Sequence, residues 1–144
     1  MSQANYQQHP NFKTAQRNEK LFQALLTGAK KYQHREWMLT VLFYASLHYL
    51  KSYLSIVHQL PSSKIDSHKG ILMELNRLKK SAIFPKKILQ KYEQFKNDSQ
   101  LARYHYLENF PEWNDHKFVD LVQNKCVQRL DLIRDFTLQE LEKL

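Results

Sequence analysis

Residues 37–60, WMLTVLFYASLHYLKSYLSIVHQL, form a long and predominantly apolar stretch. No proline or glycine interrupts them, and Lys51 is their only charged side chain. The pattern predicts a helix that is apolar on nearly every face and therefore lies inside a bundle, with neighbours all round it. Ser46, His48, Lys51 and Ser52 keep the apolar run below the ~18 residues of a membrane span, so we expect no membrane association.

The composition favours a single helical domain. A chain of 144 residues is long enough to bury one substantial core. It contains only two glycines, whereas sheets and tight hairpins use glycine freely in their turns. We therefore predict an all-α fold, an antiparallel up-down bundle of four to five helices. Residues 1–10 are expected to be a flexible N-terminus, and residues 11–144 to form the domain.

Prolines and helical periodicity divide this domain into five predicted helices. Pro61, Pro85 and Pro111 mark connections, since a proline disfavours helix in the residue before it. Asp66 or Ser67 is the expected N-cap of the third helix. The predicted helices cover residues 11–32, 37–60, 67–80, 85–106 and 115–143. The residues expected to face inward from the last helix are Phe118, Leu121, Val122, Cys126, Leu130, Ile133, Phe136 or Thr137, and Leu141.

The charge of the chain points to a polyanionic partner. The formal net charge is +8, and residues 64–103 hold ten basic against four acidic side chains. Such an asymmetric excess favours RNA, DNA or a nucleotide as a partner, although a basic protein without one is the alternative. The single cysteine, Cys126, and the lack of a secretion signal favour a reducing, cytoplasmic location.

The sequence does not favour a metal or a bound cofactor. None of its seven histidines lies in a motif with the spacing of zinc ligands. Two isolated glycines cannot build a phosphate-binding loop. Cys126 lies on the inner face of the last predicted helix, so it is more readily explained as a core residue than as a nucleophile.

Three polar features have both a functional and a structural interpretation. His48 lies in the middle of the apolar helix, where it either meets a ligand or bonds to a neighbouring helix. Ser67-His68-Lys69-Gly70 opens the third helix, where backbone N–H groups and Lys69 either bind a phosphate or form an ordinary capped start. Arg103-Tyr104-His105 places a cation among rings, which suits base stacking and phosphate contact. Arg103 could instead bond the carbonyls of the following loop.

These features occur in the order, and at about the spacing, found in the HEPN family of small helical bundles. The chain resembles that family in LFYASLHYLK at residues 42–51, in SHKG at residues 67–70 and in LARY at residues 101–104, within about residues 15–140. The resemblance implies a bundle of four or five helices, often a symmetric dimer, with a polar cleft that binds RNA or nucleotides. The candidate ligand-binding residues in and beside these segments are Tyr44, His48, His68, Lys69, Arg103, Tyr104 and His105.

Many members of this family are metal-independent ribonucleases of toxin or phage-defence systems. They use an arginine and a histidine separated by four to six residues. Here the histidines that follow Arg103 are His105, which is too close, and His116, which is too far. Cleavage needs an arginine to hold the scissile phosphate and a histidine to act on the 2′-hydroxyl. The chain is therefore interpreted as a non-catalytic or divergent relative.

Three functions follow from these observations. The leading one is a dimeric helical module that binds RNA or nucleotides without catalysis. The second is a divergent ribonuclease that assembles Arg103, His105 and His48 across a dimer cleft. The third is an interaction protein, for instance one half of a toxin–antitoxin or nucleotidyltransferase pair.

Overall fold

The computed structural model describes residues 3–27, 35–109 and 119–144, and their side chains except at 3, 4, 35, 36, 104–109 and 119. The described residues form five helices, and the predicted all-α bundle is confirmed. Two short 3₁₀ helices cover Gln3–Gln8 and Ser62–Lys64. The five main helices are α1 (Pro10–Thr27), α2 (Arg35–Ile56), α3 (His68–Lys80), α4 (Lys86–Asn109) and α5, which is π-helical over Val119–Cys126 and α-helical over Val127–Glu142.

Helix α2 is the centre of the bundle, as its sequence predicts. It packs against α1, α4 and α5, and even its small polar residues Ser46 and Ser52 are fully buried. Each of these hydroxyls donates a hydrogen bond to a carbonyl three residues earlier in the same helix, so neither is buried without a partner. The buried apolar residues of α2 are Met38, Leu39, Leu42, Phe43, Ala45, Leu47, Tyr49, Leu50, Tyr53, Leu54 and Ile56.

Contacts between aromatic rings fix the direction of α1, α4 and α5 relative to α2. Phe12, near the start of α1, meets Tyr49, near the end of α2, edge to face at 5.6 Å. Phe84, just before α4, lies 5.7 Å from Tyr53 and 5.1 Å from Phe136. Helices α1 and α4 therefore run antiparallel to α2, and α5 runs parallel to it across the bundle.

One polar network crosses this core between three helices. The Tyr49 hydroxyl of α2 donates to the Glu19 carboxylate of α1 at 2.7 Å. Arg134 of α5 donates to the other oxygen of the same carboxylate, also at 2.7 Å. The partners satisfy one another's polar atoms at the side of an otherwise apolar interior.

Helix α2 ends at Ile56, four residues before its predicted end at Leu60. Gln59 adopts a left-handed backbone conformation with φ of 54°, which does not continue an α-helix. The chain then turns back along α2, so that His68 stacks on Phe43, far from the end of α2. Helix α3 consequently runs in the same direction as α2, and it lies at the edge of the bundle next to α4.

The N-terminal segment is more structured than its composition suggests. Within the segment 1–10, for which we predict flexibility, a 3₁₀ helix covers Gln3–Gln8. Tyr6 is only 6% exposed and packs edge to face on Phe12 at 5.2 Å. His9 also bonds to Ser55 of α2 at 3.2 Å. One buried ring and one hydrogen bond attach this polar segment to the core.

The last helix begins with a π-helical stretch, Val119–Cys126, that periodicity did not predict. Its inward residues agree with the prediction at Val122, Cys126, Leu130, Ile133 and Leu141, which are all buried. Of the two alternatives offered, Thr137 is fully buried, whereas Phe136 is partly exposed and packs on Tyr53 and Phe84. The predicted start of this helix at residue 115, with Phe118, lies outside the described residues, as does the predicted end of the first helix at residue 32.

Among the helices of the described residues, none combines the length and apolar character needed to cross a membrane. The polar residues along α2 account for this, because they interrupt its apolar run.

Candidate functional site

The start of α3 is a capped helix end, and it sets the geometry of the site. Ser67 is the N-cap, as predicted, and its hydroxyl accepts a hydrogen bond from the Gly70 N–H at 3.0 Å. This bond occupies one of the backbone donors that a phosphate at the helix start would use. The structural interpretation of Ser67-His68-Lys69-Gly70 is therefore supported. Within this segment the Lys69 side chain is exposed and His68 is partly buried.

Gly70 is required here by a close approach of two backbone segments. A Cβ atom at position 70 would lie 2.4 Å from the carbonyl oxygen of Lys64. No side chain fits at that distance, so only glycine lets the Ser62–Lys64 turn pack against the first turn of α3.

His68 joins α3 to the aromatic core. Its ring stacks on Phe43 with centroids 5.9 Å apart and meets Tyr44 edge to face at 6.2 Å. The Nδ1 atom is buried and has no hydrogen-bond partner among the described residues. Burial lowers the pKa of His68, and the nearby positive charges of Lys96, Arg103 and Lys51 lower it further. The ring is therefore neutral at pH 7 and stands in a positive field.

Arg103 of α4 binds Tyr44 of α2. Its Nη1 donates to the Tyr44 hydroxyl at 3.0 Å, and its guanidinium carbon lies 5.7 Å from the centre of that ring. Both side chains are only partly buried. The structure thus brings together Tyr44, His68 and Arg103, which come from three different helices.

His48 takes part in helix packing instead of joining this cluster. Its Nδ1 pairs with the Asn11 side-chain oxygen of α1 at 3.0 Å. Burial, and then the charge of Lys51, lower the pKa of His48 to about 4. This geometry supports the interpretation of His48 as a core histidine bonded to a neighbouring helix. Of the remaining candidates, Lys69 is exposed beside His68, and the side chains of Tyr104 and His105 lie outside the described part of the structure.

A groove of about 800 Å³ extends from this cluster between α3 and α4. We call it the α3–α4 groove. Its α3 wall carries side chains at helical spacing, and its α4 wall continues from Lys96 and Gln100 towards Arg103, one turn later. The residues that line it are His68, Lys69, Leu72, Met73, Asn76, Arg77, Lys80, Lys96 and Gln100.

The charge of the α3–α4 groove is positive. Lys69, Lys80 and Lys96 have no carboxylate partner among the described residues, whereas Arg77 pairs with Glu74 at 3.0 Å. No carboxylate side chain belongs to the lining. Because unpaired cations on both walls repel one another, the groove is suited to a bound anion.

Of these lining residues, the sequence predicted a ligand-binding role only for His68 and Lys69. The other lysines were counted in the basic excess of residues 64–103, but they were not placed on one surface. A usable signal was present, since Lys69, Met73, Asn76 and Lys80 recur at the spacing of one helix face. That face could not be matched to Lys96 without knowing that α3 lies beside α4.

The geometry of the described residues supports neither metal binding nor thiol chemistry. No group of three or more His, Cys, Asp or Glu side chains in the described ranges is arranged to hold a metal ion. Cys126 is fully buried, and burial raises the pKa of its thiol to about 12. A thiol in that state is a packing residue and a poor nucleophile.

Comparisons of the chain with protein-family models, with characterised proteins and with solved structures find no match.

Proposed function

We propose that this protein is a helical module that binds RNA without cleaving it, through the α3–α4 groove. The observation that carries the proposal is the set of lysines without carboxylate partners, Lys69, Lys80 and Lys96, on the two walls of one groove. A polyanion would neutralise these charges and release its own counterions, which is the main source of affinity in nucleic-acid binding.

The length of the groove favours a strand over a single nucleotide. Lys69 and Lys80 are eleven positions apart on α3, which corresponds to roughly 16 Å along a helix. Successive phosphates of a stacked strand rise by roughly 3.4 Å, so the wall matches about five nucleotides. A lone nucleotide would leave most of these lysines without a phosphate.

The Tyr44–His68–Arg103 cluster supplies a different contact at one end of the groove. Tyr44 and His68 are partly exposed rings, and Arg103 is a partly exposed guanidinium between α4 and α2. Rings and arginine planes stack on bases of any sequence, whereas lysines contact only the backbone. We assign Arg103 to a phosphate or base at the end of the bound strand.

The contacts of His48 argue against the ribonuclease alternative. A general base must reach the 2′-hydroxyl of the substrate, but the Nδ1 of His48 is bonded to Asn11 inside the bundle. The Nη1 of Arg103 donates to the hydroxyl of Tyr44. We therefore expect intact RNA after incubation with the purified protein, with or without magnesium, in a preparation checked for contaminating nuclease.

The proposal is tested by removing two charges inside the groove and two elsewhere. The groove variant is Lys69→Gln with Lys80→Gln, and the matched control is Lys13→Gln with Lys20→Gln on α1. All four lysines are exposed, and each variant lowers the net charge by two. Binding of a labelled single-stranded RNA of about 20 nucleotides is measured by fluorescence anisotropy at several salt concentrations.

We expect wild-type affinity to fall steeply with salt, and the groove variant to bind about tenfold more weakly with a shallower salt dependence. The control pair should keep both properties. Equal losses in the two variants would mean that net charge alone attracts RNA. Undetectable binding at low salt would exclude RNA as the partner and favour the alternative that this chain is an interaction protein.

A further inference from the structure

Helix α4 borders a second basic groove on its opposite side. This α4–α5 groove has a volume of about 600 Å³ and is lined by Lys87, Lys91, Gln94, Lys125, Gln128, Arg129 and Leu132. Arg129 is bonded to Asp98, and Lys125 pairs with Asp120 at 3.5 Å. Lys87 and Lys91 have no carboxylate partner within the described ranges, as is also true of the lysines in the α3–α4 groove.

The two grooves lie on opposite faces of α4. Lys87 and Lys96 are nine positions apart, which corresponds to about two and a half turns of an α-helix. Their side chains therefore leave α4 on opposite sides. Between these two faces, one side of α4 points into the bundle. It carries the buried residues Tyr92, Phe95, Ser99 and Ala102. The outward side is a ridge of exposed residues, Gln90, Glu93, Asn97 and Leu101. Helix α4 is thus an exposed ridge with unpaired lysines along both flanks.

A single strand needs only one of these grooves, whereas a duplex presents two phosphate backbones. We propose that α4 lies in the minor groove of an RNA duplex, with each lysine-bearing flank on one backbone. This inference rests on the proposed RNA-binding function and specifies the substrate as double-stranded RNA.

The shape of A-form RNA favours its minor groove. Its major groove is too narrow for side chains, and its minor groove is wide and shallow and displays 2′-hydroxyls. An α-helix is about 10–12 Å across, so it can only lie on such a shallow surface. The exposed amides of Gln90 and Asn97 can donate to and accept from 2′-hydroxyls.

The positions of the lysines along α4 agree with this arrangement. Lys87 and Lys91 precede Lys96 by nine and five positions, or roughly 8 to 14 Å along the axis. The two flanks therefore contact their backbones diagonally across the helix. Phosphates that face each other across a duplex groove are likewise staggered along its axis.

The test compares the α3–α4 groove with the α4–α5 groove in the binding of three ligands. The variants are Lys87→Gln with Lys91→Gln, Lys69→Gln with Lys80→Gln, and the control pair Lys13→Gln with Lys20→Gln. Each is titrated by anisotropy against a blunt RNA duplex of about 20 base pairs, one of its single strands, and a DNA duplex of the same sequence. Circular dichroism and thermal melting check that the variants retain the fold, since Lys91 is partly buried and the other substituted lysines are exposed.

We expect the RNA duplex to bind more tightly than the other two ligands. Removing Lys87 and Lys91 should weaken duplex binding about tenfold and leave single-strand binding unchanged, whereas removing Lys69 and Lys80 should weaken both. Glu93→Gln should strengthen duplex binding, because it removes a carboxylate from the ridge.

Single-strand binding equal to duplex binding, with no effect of Lys87 and Lys91, would overturn this inference and leave the proposed function intact. A DNA duplex that binds as tightly as the RNA duplex would also overturn it, because 2′-hydroxyls would then make no contribution. If none of the three ligands binds at low salt, the proposed function itself fails.

Discussion

The Nη1 of Arg103 lies 3.0 Å from the hydroxyl of Tyr44, 59 positions earlier in the chain. This bond connects α4 to α2 at the end of the α3–α4 groove, and His68 of α3 packs on the same tyrosine ring. The bond thus holds a guanidinium at a fixed place beside the groove. The two bonded groups make separable contributions, because the Tyr44 hydroxyl contributes only to the structure whereas the Arg103 guanidinium can also bind RNA.

Replacing Tyr44 and Arg103 separately should distinguish these contributions. Tyr44→Phe removes the hydrogen bond and keeps the ring, so it should lower the free energy of unfolding by about 1 kcal/mol and leave RNA affinity nearly unchanged. Arg103→Ala should cause a similar loss of stability together with weaker RNA binding. Urea denaturation and anisotropy titration measure the two effects. If Arg103→Ala binds RNA as well as wild type, Arg103 is a purely structural residue.

Gly70→Ala should destabilise the protein although alanine is the better helix former. The new Cβ would lie 2.4 Å from the Lys64 carbonyl oxygen, and backbone atoms must move to make room. We expect a loss of about 1–3 kcal/mol, as for other overpacked sites. The control is Asn97→Ala, at an exposed position on α4, which should have little effect or stabilise. An unchanged denaturation midpoint for Gly70→Ala would show that the Ser62–Lys64 turn moves freely.

Leu50→Ala and Phe43→Ala test the central position of α2. Both side chains are fully buried, so each truncation should lower the free energy of unfolding by ~2–5 kcal/mol. Leu101→Ala is a suitable comparison, since Leu101 is 38% exposed and should lose much less. Losses well under 1 kcal/mol at Leu50 and Phe43 would contradict the packing of α2 on three neighbouring helices.

The sequence predicted the helices better than it predicted the site. The apolar run around Phe43 and Leu50 requires burial on all sides, so the central helix could be assigned with no knowledge of its neighbours. The α3–α4 groove depends instead on the path of residues 57–67, which turn back along α2 and place His68 on Phe43. No local pattern encodes that path. The π-helical start of α5 was not predicted for a related reason, because Val122 and Cys126 fit an α-helical spacing equally well.

The same limit applies to individual site residues. The contact between Arg103 and Tyr44 joins positions 59 apart, and no sequence pattern near either residue predicts it. His48 shows the opposite case. Its position in an apolar helix already offered a bond to a neighbouring helix as one of two interpretations, and the structure identifies Asn11 as the partner.

The final prediction concerns how the stability contributed by His48 depends on pH. Its pKa is about 4 in the folded protein, compared with 6.5 for an unperturbed histidine, because burial disfavours the charged ring. Above pH 6.5 the ring is neutral in both states. Between these two values the unfolded chain binds a proton that the folded protein does not. The free energy of unfolding must therefore fall as the pH is lowered from 6.5 towards 4.

His48→Gln replaces the titratable ring with an amide, which does not titrate but can still bond to Asn11. Urea denaturation of wild type and variant at pH 7 and pH 5 measures the effect. We expect the variant to be the less stable protein at pH 7, because it loses packing, but to lose less stability than wild type between the two pH values. Other titrating groups are common to both proteins, so the difference between the two pH dependences belongs to His48. Parallel pH dependences would show that His48 is as readily protonated in the folded bundle as in the unfolded chain, which would contradict its burial between α1 and α2.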